Sequence, residues 1–245
     1  MKLQGNTILI TGGSSGIGLA LAKQFLQLGN SVILTGRNAK KLEAIQKQYP
    51  AMHCLICELT EEESLKKLVN RIEADFQDLN ILINNAGVQY NYLFSELPYS
   101  SPKIDQEIET NLNAPIKLTH MLLPLLQKKN EAAIVNVSSG LYITPKQSAS
   151  VYCATKAALH SFSQSLRFQL KNTAIRVFEL IPELVDTPMT AGRGKAKMSA
   201  DTLTEHFLKA FEKNRFEIYI GKTKLLKLIH RLSPQWAQKI MINQK

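Results

Sequence analysis

Thr7-Ile-Leu-Ile-Thr11-Gly-Gly-Ser-Ser-Gly16-Ile-Gly18 is the stretch on which the reading of this chain turns. Thr7–Thr11 is a short β-branched, apolar run of the kind that forms a buried strand. Glycines follow at 12, 16 and 18, and an amphipathic pattern begins directly behind them. A glycine turn between a strand and a helix lets the backbone come close to a phosphate group, and the helix N-terminus supplies donors and positive potential. The spacing differs from G-x-G-x-x-G, and no Gly-Lys-Ser/Thr follows, which argues against a P-loop nucleotidase.

Outward from this turn the pattern repeats. Strands are expected at Thr7–Thr11, Ser31–Thr35, His53–Glu58, Ile81–Asn84, Ala133–Ser138, Arg176–Ile181 and Glu217–Ile220. Helical periodicity falls near 17–28, 38–48, 61–77, 103–128, 150–171 and 201–213. Such alternation predicts an α/β fold: a doubly wound, Rossmann-type parallel sheet of about seven strands with helices on both faces. No linker or repeat divides the 245 residues, so a single domain, 1–245, is expected. Ligands of such sheets sit beyond the carboxyl ends of the strands. Thr11-Gly12, Asn84-Asn85, Ser138-Ser139 and Pro182 all fall just past expected strand ends, so they converge on one rim.

The bulk composition excludes several classes. Hydrophobic residues are 44% and charged residues 20%, an ordinary globular balance. No apolar run reaches the ~18 residues of a membrane span, and the N-terminus has no signal-peptide pattern, so a cytoplasmic setting is expected. Cys54 and Cys57 are three apart in an extended apolar run, where they face opposite sides of a strand, and no second pair completes a zinc site. The five histidines have no metal spacing, and His160 reads as an interface or core group; no metal is expected. The net charge of +10 is concentrated late: residues 1–190 carry 18 Lys+Arg against 16 Asp+Glu, and residues 191–245 carry 12 against 4. Aromatics are not interleaved with these cations as a nucleic-acid platform requires. A nucleic-acid partner is not expected, nor is membrane contact. The basic segment 222–245, with its apolar residues over Leu225–Met241, reads as a helix packed on its own fold.

Tyr152 and Lys156 stand four apart, on one face of an expected helix. A phenol titrates near ~10, and an adjacent ammonium favours the phenolate, so the pair can exchange protons nearer neutrality. Ser139, thirteen residues earlier, is spaced to hold a carbonyl or hydroxyl against the phenol, while Ser138 reads as a strand-end cap. Thr11-Gly-x-x-x-Gly-Ile-Gly18, Asn84-Asn-Ala-Gly87, Asn111, Ser139 and Tyr152-x-x-x-Lys156 together resemble the short-chain dehydrogenase/reductase family, in its order and spacing and over the whole chain.

That resemblance implies hydride transfer between a nicotinamide cofactor and a small-molecule carbonyl or alcohol. Tyr152 would be the general acid/base, and Lys156 would lower its pKa and hold the nicotinamide ribose. Ser139 would bind the substrate oxygen, and Asn111 would anchor a water relay. Cofactor contacts are implied for Gly12, Ser14, Ser15, Gly16, Ile17, Gly18, Glu58, Leu59, Asn85, Ala86, Gly87, Tyr152, Lys156, Pro182, Val185 and Thr187. At the end of the second strand, Gly36-Arg37 offers a cation where an acidic residue commonly meets a free ribose 2′-hydroxyl. A charged hydrogen-bond set worth roughly 1.5–3 kcal/mol favours NADP(H) over NAD(H). Two positions depart from the family pattern: Glu58 stands for the usual Asp, and Glu183 stands in Pro182-Glu-Leu-Val-Asp-Thr187 for a glycine beside the nicotinamide.

Thr190–Met198 takes the place of the family's substrate lid, here about 188–200. Its Arg193, Lys195 and Lys197 could serve an anionic substrate or the cofactor phosphates. Pairing of subunits through 103–128 and 150–171 is implied, as a homodimer or homotetramer. Asn136–Leu141, Val151–Phe162 and Phe178–Thr187 also resemble a narrower group, the DltE-type oxidoreductases of bacteria. Two other readings stand beside the enzyme: a cofactor-binding regulatory protein on the same fold, and a membrane-associated protein using the basic tail.

Overall fold

The computed structural model describes residues 1–99, 101–194 and 196–242. The strands are β1 (Thr7–Thr11), β2 (Ser31–Gly36), β3 (Met52–Ile56), β4 (Leu79–Asn84), β5 (Ala132–Val137), β6 (Ile175–Ile181) and β7 (Glu217–Tyr219). All pair in parallel, in the order β3-β2-β1-β4-β5-β6-β7. The order reverses between β1 and β4, which opens a crevice at their carboxyl ends where a ligand can lie.

Helices α1 (Gly16–Gln27), α2 (Ala39–Gln48), α3 (Glu62–Asp75), α4 (Pro102–Ile108), α5 (Ala114–Gln127), α6 (Ser150–Gln169) and α7 (Ala200–Glu212) cover the sheet. Alternation along the strands divides the core in two. Ile8 and Ile10 of β1 pack with Leu21 and Phe25 of α1, Leu42 of α2 and Phe207 of α7. Leu9 points the other way, to join Leu68 of α3, Leu122 of α5 and Leu166 of α6. Cys54 packs against the first layer and Cys57 belongs to the second, so the two thiols lie on opposite sides of the sheet.

Two stretches differ from expectation. The helix expected over 103–128 is interrupted by a π-turn at Glu109–Asn113, between α4 and α5. One residue is bulged there, and it carries the fully buried Asn111 inward. The tail is two helices, α8 (Thr223–Leu232) and α9 (Pro234–Ile242), broken at Ser233. Proline disfavours helical geometry in the residue before it, and Ser233 is extended, at φ −151° and ψ 92°. No described helix is long and apolar enough to cross a membrane.

Candidate active site

The turn after β1 is shaped by what presses on it. Gly12 has φ +64°, and a Cβ there would stand 2.8 Å from the Cα of Ala86. The Thr11 hydroxyl accepts from the backbone N–H groups of Asn85 (3.0 Å) and Ala86 (3.1 Å) and donates to the Ile83 carbonyl (3.4 Å). The Asn85 amide donates back to the carbonyls of Thr11 (2.9 Å) and Gly12 (3.2 Å). The ends of β1 and β4 are thereby locked together. Asn84 is turned away, donating to Asn136 (2.8 Å) and Thr119 (3.1 Å), and braces β4 against β5 and α5.

A cavity of about 960 Å³ runs along this rim. Of the residues expected to hold a cofactor, Gly12, Ser14, Ser15, Gly16, Ile17, Arg37, Glu58, Leu59, Asn85, Ala86, Gly87, Tyr152, Lys156, Pro182, Val185 and Thr187 all line it. Gly18 does not; it lies behind the turn, where a Cβ would stand 2.5 Å from the Asn85 amide nitrogen and 2.7 Å from the Gly12 carbonyl oxygen. Its role is to let α1 close on β4. Ser15, at the N-cap of α1, makes no side-chain cap, so the first-turn N–H groups of α1 are not capped by it and remain suited to an anion.

At one end of the cavity Arg37 and Lys41 meet Gly36 and Ser14. Lys41 was not legible as a site residue, although its place four after Arg37, in the first turn of α2, is the signal that could have found it. The Glu58 carboxylate also lines this end and accepts from the Thr60 hydroxyl (3.0 Å). A glycine cradle, an uncapped helix start and two cations beside a residue without Cβ together fit a dinucleotide, including one that bears a third phosphate.

The proton-transfer groups lie at the other end. Tyr152 and Lys156 occupy the first two turns of α6 and are buried. The Lys156 ammonium donates to the Val137 carbonyl at 2.8 Å and lies 5.7 Å from the centroid of the Tyr152 ring. The Ser139 oxygen accepts from the Leu141 N–H at 3.2 Å, capping the turn at Gly140–Tyr142. The cap expected of Ser138 therefore belongs to Ser139; the Ser138 hydroxyl is buried with no hydrogen bond among the described residues. A hydroxyl can accept and donate at once, and Ser139 also hydrogen-bonds the Tyr152 phenol. Asn111 accepts from the Val88 N–H and donates to the Val88 carbonyl, both at 2.8 Å, and reaches Thr155 of α6 at 3.3 Å.

Burial dominates the titration of this pair. Desolvation pushes the Tyr152 phenol up to about 12, against smaller downward effects of the Ser139 hydroxyl and the Arg193 charge. Desolvation also brings Lys156 down to about 8, opposed by the buried Glu179 carboxylate. Burial thus works against the charged form of each group, while the phenol keeps its proton and the lysine its charge at neutral pH.

The departure at Glu183 also has a structural account. Its carboxylate accepts from the Lys222 N–H at 3.1 Å, at the start of α8. A Cβ on the adjoining Gly221 (φ +68°) would fall 2.3 Å from that carboxylate. Glu183 therefore ties the end of β6 to α8, whose Leu226 and Ile229, with Met241 of α9, wall one side of the cavity. The expected lid begins at the turn Pro188–Thr190 and is pinned at its base. There Val185 bridges Met198, and Lys197 donates to the Thr190 carbonyl (2.7 Å) and pairs with Asp186 (3.3 Å). Arg193 reaches inward to line the cavity; Lys195 lies outside the described residues. His160 pairs with buried Glu179 at 2.7 Å and stacks on Tyr142, a core arrangement.

A nucleotide-binding crevice at the sheet reversal, with a Ser, Tyr and Lys at its far end, defines a dinucleotide-dependent oxidoreductase class. Residues 6–198 match the short chain dehydrogenase family. The chain is 40% identical over 224 residues to the oxidoreductase DltE of Bacillus subtilis, covering 89% of each chain. It is 36% identical over 200 residues to serine 3-dehydrogenase of Agrobacterium fabrum, covering 80% of this chain and 79% of that one. In fold it is similar to a short chain dehydrogenase of Burkholderia cenocepacia solved with NADP (TM-score 0.88, 23% identity, 99% of this chain and 100% of that one). Other structural neighbours hold NADPH or NAD. The chain belongs to the short-chain dehydrogenase/reductase family of oxidoreductases.

Proposed function

We propose that this oxidoreductase uses NADP(H) in preference to NAD(H) and interconverts a carbonyl and a secondary alcohol, with Tyr152 as the general acid/base. The observation that supports the catalytic part of this reading is the buried Tyr152 phenol in reach of the Ser139 hydroxyl, with the Lys156 ammonium held nearby by the Val137 carbonyl. Gly12 and Ser14–Ile17, with Asn85–Gly87, Pro182, Val185 and Thr187, would hold the dinucleotide; Arg37 and Lys41 would pair with its 2′-phosphate. When bound, a nicotinamide would supply or accept the hydride at the carbon that bears the reacting oxygen. Ser139 donates a hydrogen bond to that oxygen and fixes it against Tyr152. As negative charge grows on the oxygen, the Tyr152 proton moves to it. Lys156 then stabilises the phenolate left behind, its ammonium held over the site by the Val137 carbonyl. Asn111, by clamping Val88 to α6 through Thr155, keeps the strand-end loop from shifting against the tyrosine.

Pairing of copies through α5 and α6, as a homodimer or homotetramer, fits the exposed Phe168 on α6 and is read by light scattering. Consumption of NADPH with a panel of aldehydes and ketones tests the catalytic reading. Tyr152→Phe is expected to lose roughly 10²–10⁴-fold in kcat while NADPH still quenches the protein's fluorescence. Equal rates for wild type and Tyr152→Phe would sink it.

A further inference from the structure

Arg193 is a cation of the cavity that the mechanism leaves unused. It sits in the lid, yet its side chain turns into the cavity, where Nη2 donates to the Gln89 carbonyl at 3.1 Å. Nη1 is buried and makes no hydrogen bond among the described residues. No carboxylate among those residues pairs with the guanidinium. Glu107, the buried acid of this region, already spends one oxygen on the Tyr90 N–H (2.9 Å) and the other on the Tyr92 hydroxyl (2.7 Å). A guanidinium does not deprotonate to escape burial, so a buried donor without an acceptor is costly unless something else supplies one.

Its position says what that acceptor is for. The dinucleotide's phosphates have their own donors at the start of α1 and at Arg37 and Lys41. Arg193 is anchored at Gln89, two residues past Gly87, and its charge is near enough to act on the Tyr152 phenol. Leu184 packs against the adjoining Gly194, and Leu141 and Met189 line the same cavity, as do the lysines Lys146 and Lys222. Of these three cations Arg193 is the planar fork, which suits a single carboxylate on a short carbon chain.

We infer that Arg193 is the carboxylate-binding residue of the substrate subsite, and that the reacting pair is an oxo acid and its hydroxy acid. The inference rests on the oxidoreductase reading above. The acid group would lie on Nη1 while the reacting oxygen lies on Ser139 and Tyr152. The lid segment that carries Arg193 would then be ordered by the substrate rather than by the dinucleotide.

The experiment pairs each acid with its own neutral analogue. NADPH oxidation is measured with 2-, 3- and 4-oxo acids and their methyl esters, using wild type, Arg193→Gln and Arg193→Lys. Wild type is expected to prefer at least one acid over its ester by about ten- to a hundredfold in kcat/KM, expressed in KM. Arg193→Gln should bring that ratio toward one, and Arg193→Lys should restore part of it. A second readout needs no turnover: butanoate and butanamide are compared in thermal shift on the NADPH complex. Butanoate alone should stabilise wild type, and Arg193→Gln should lose the difference. Esters turned over as well as acids would overturn the inference and leave the oxidoreductase reading standing. Acid-selective binding without turnover of any carbonyl would do the reverse. An Arg193→Gln variant with weakened NADPH affinity and an unchanged acid-to-ester ratio would assign the residue to the cofactor and also overturn the inference.

Discussion

Replacing Lys156 by methionine should abolish carbonyl reduction and at the same time make the protein more stable. The ammonium is buried in the first turns of α6, and burial brings its pKa from 10.5 to about 8. In the unfolded chain the lysine is solvated and titrates near its ordinary value. Below pH 8 both states are protonated, and the folded state carries the whole penalty of the buried charge. As pH rises from 8 toward 10.5 the folded state releases its proton first, so stability recovers through that window. At 1.36 kcal/mol per unit, the penalty is about 3 kcal/mol at pH 7 and about 1.4 kcal/mol at pH 9.5.

Methionine fills a similar volume without charge but leaves the Val137 carbonyl without its 2.8 Å donor, which costs about 1 kcal/mol. Lys156→Met should therefore be more stable than wild type by about 2 kcal/mol at pH 7, or roughly 4–8 °C in Tm. The gap should close almost completely by pH 9.5. Urea unfolding of both proteins at the two pH values measures it. A variant less stable than wild type at pH 7, or a gap that does not change with pH, would refute the reasoning that burial rather than pairing governs this lysine.

Arg37→Ala is expected to weaken NADPH about ten- to a hundredfold and leave NADH affinity nearly unchanged, as read by fluorescence titration; Lys41→Ala should act in the same direction and less strongly, because Lys is a point charge rather than a fork. A larger effect on NADH would remove the 2′-phosphate assignment. Gly12→Ala forces a Cβ to within 2.8 Å of the Ala86 backbone at a φ of +64°, so a loss of about 1–3 kcal/mol in stability and loss of dinucleotide binding should appear together in calorimetry. Glu183→Ala removes the acceptor at the start of α8, at a cost of about 1 kcal/mol. It should expose α8–α9 to limited proteolysis before the rest of the chain; simultaneous cleavage throughout would show that Glu183 is not the tie.

Much of this architecture is legible in the chain because it is encoded locally. β1 falls where its β-branched run places it, at Thr7–Thr11, and the strand–glycine turn–helix sequence marks the crevice. Within β1 the alternation of a strand sends Ile8 and Leu9 to opposite layers. The stretch 103–128 has continuous helical periodicity, and the local mark of its division is Pro115, which has no N–H for the Asn111 carbonyl four residues back; what holds Asn111 inward is Val88 and Thr155, from other parts of the chain. Lys41 escaped because a lysine in the first turn of a helix usually reads as solvated surface.

Ser138 and Ser139 show the same boundary at finer scale: two adjacent hydroxyls carry equal chemistry, and only the turn at Gly140–Tyr142 decides which one caps and which stays buried. The sequence alone determined the fold and the place of the crevice, because strand and helix periods and the glycine turn are properties of neighbouring residues; the roles expected of Ser139, Tyr152 and Lys156 came from the family resemblance. Only the tertiary structure decided the burial of the Tyr152–Lys156 pair, the tie from Glu183 to α8 and the inward turn of Arg193. Each of these depends on desolvation or on a partner distant in the chain, and desolvation does not exist until the sheet and its helices have closed.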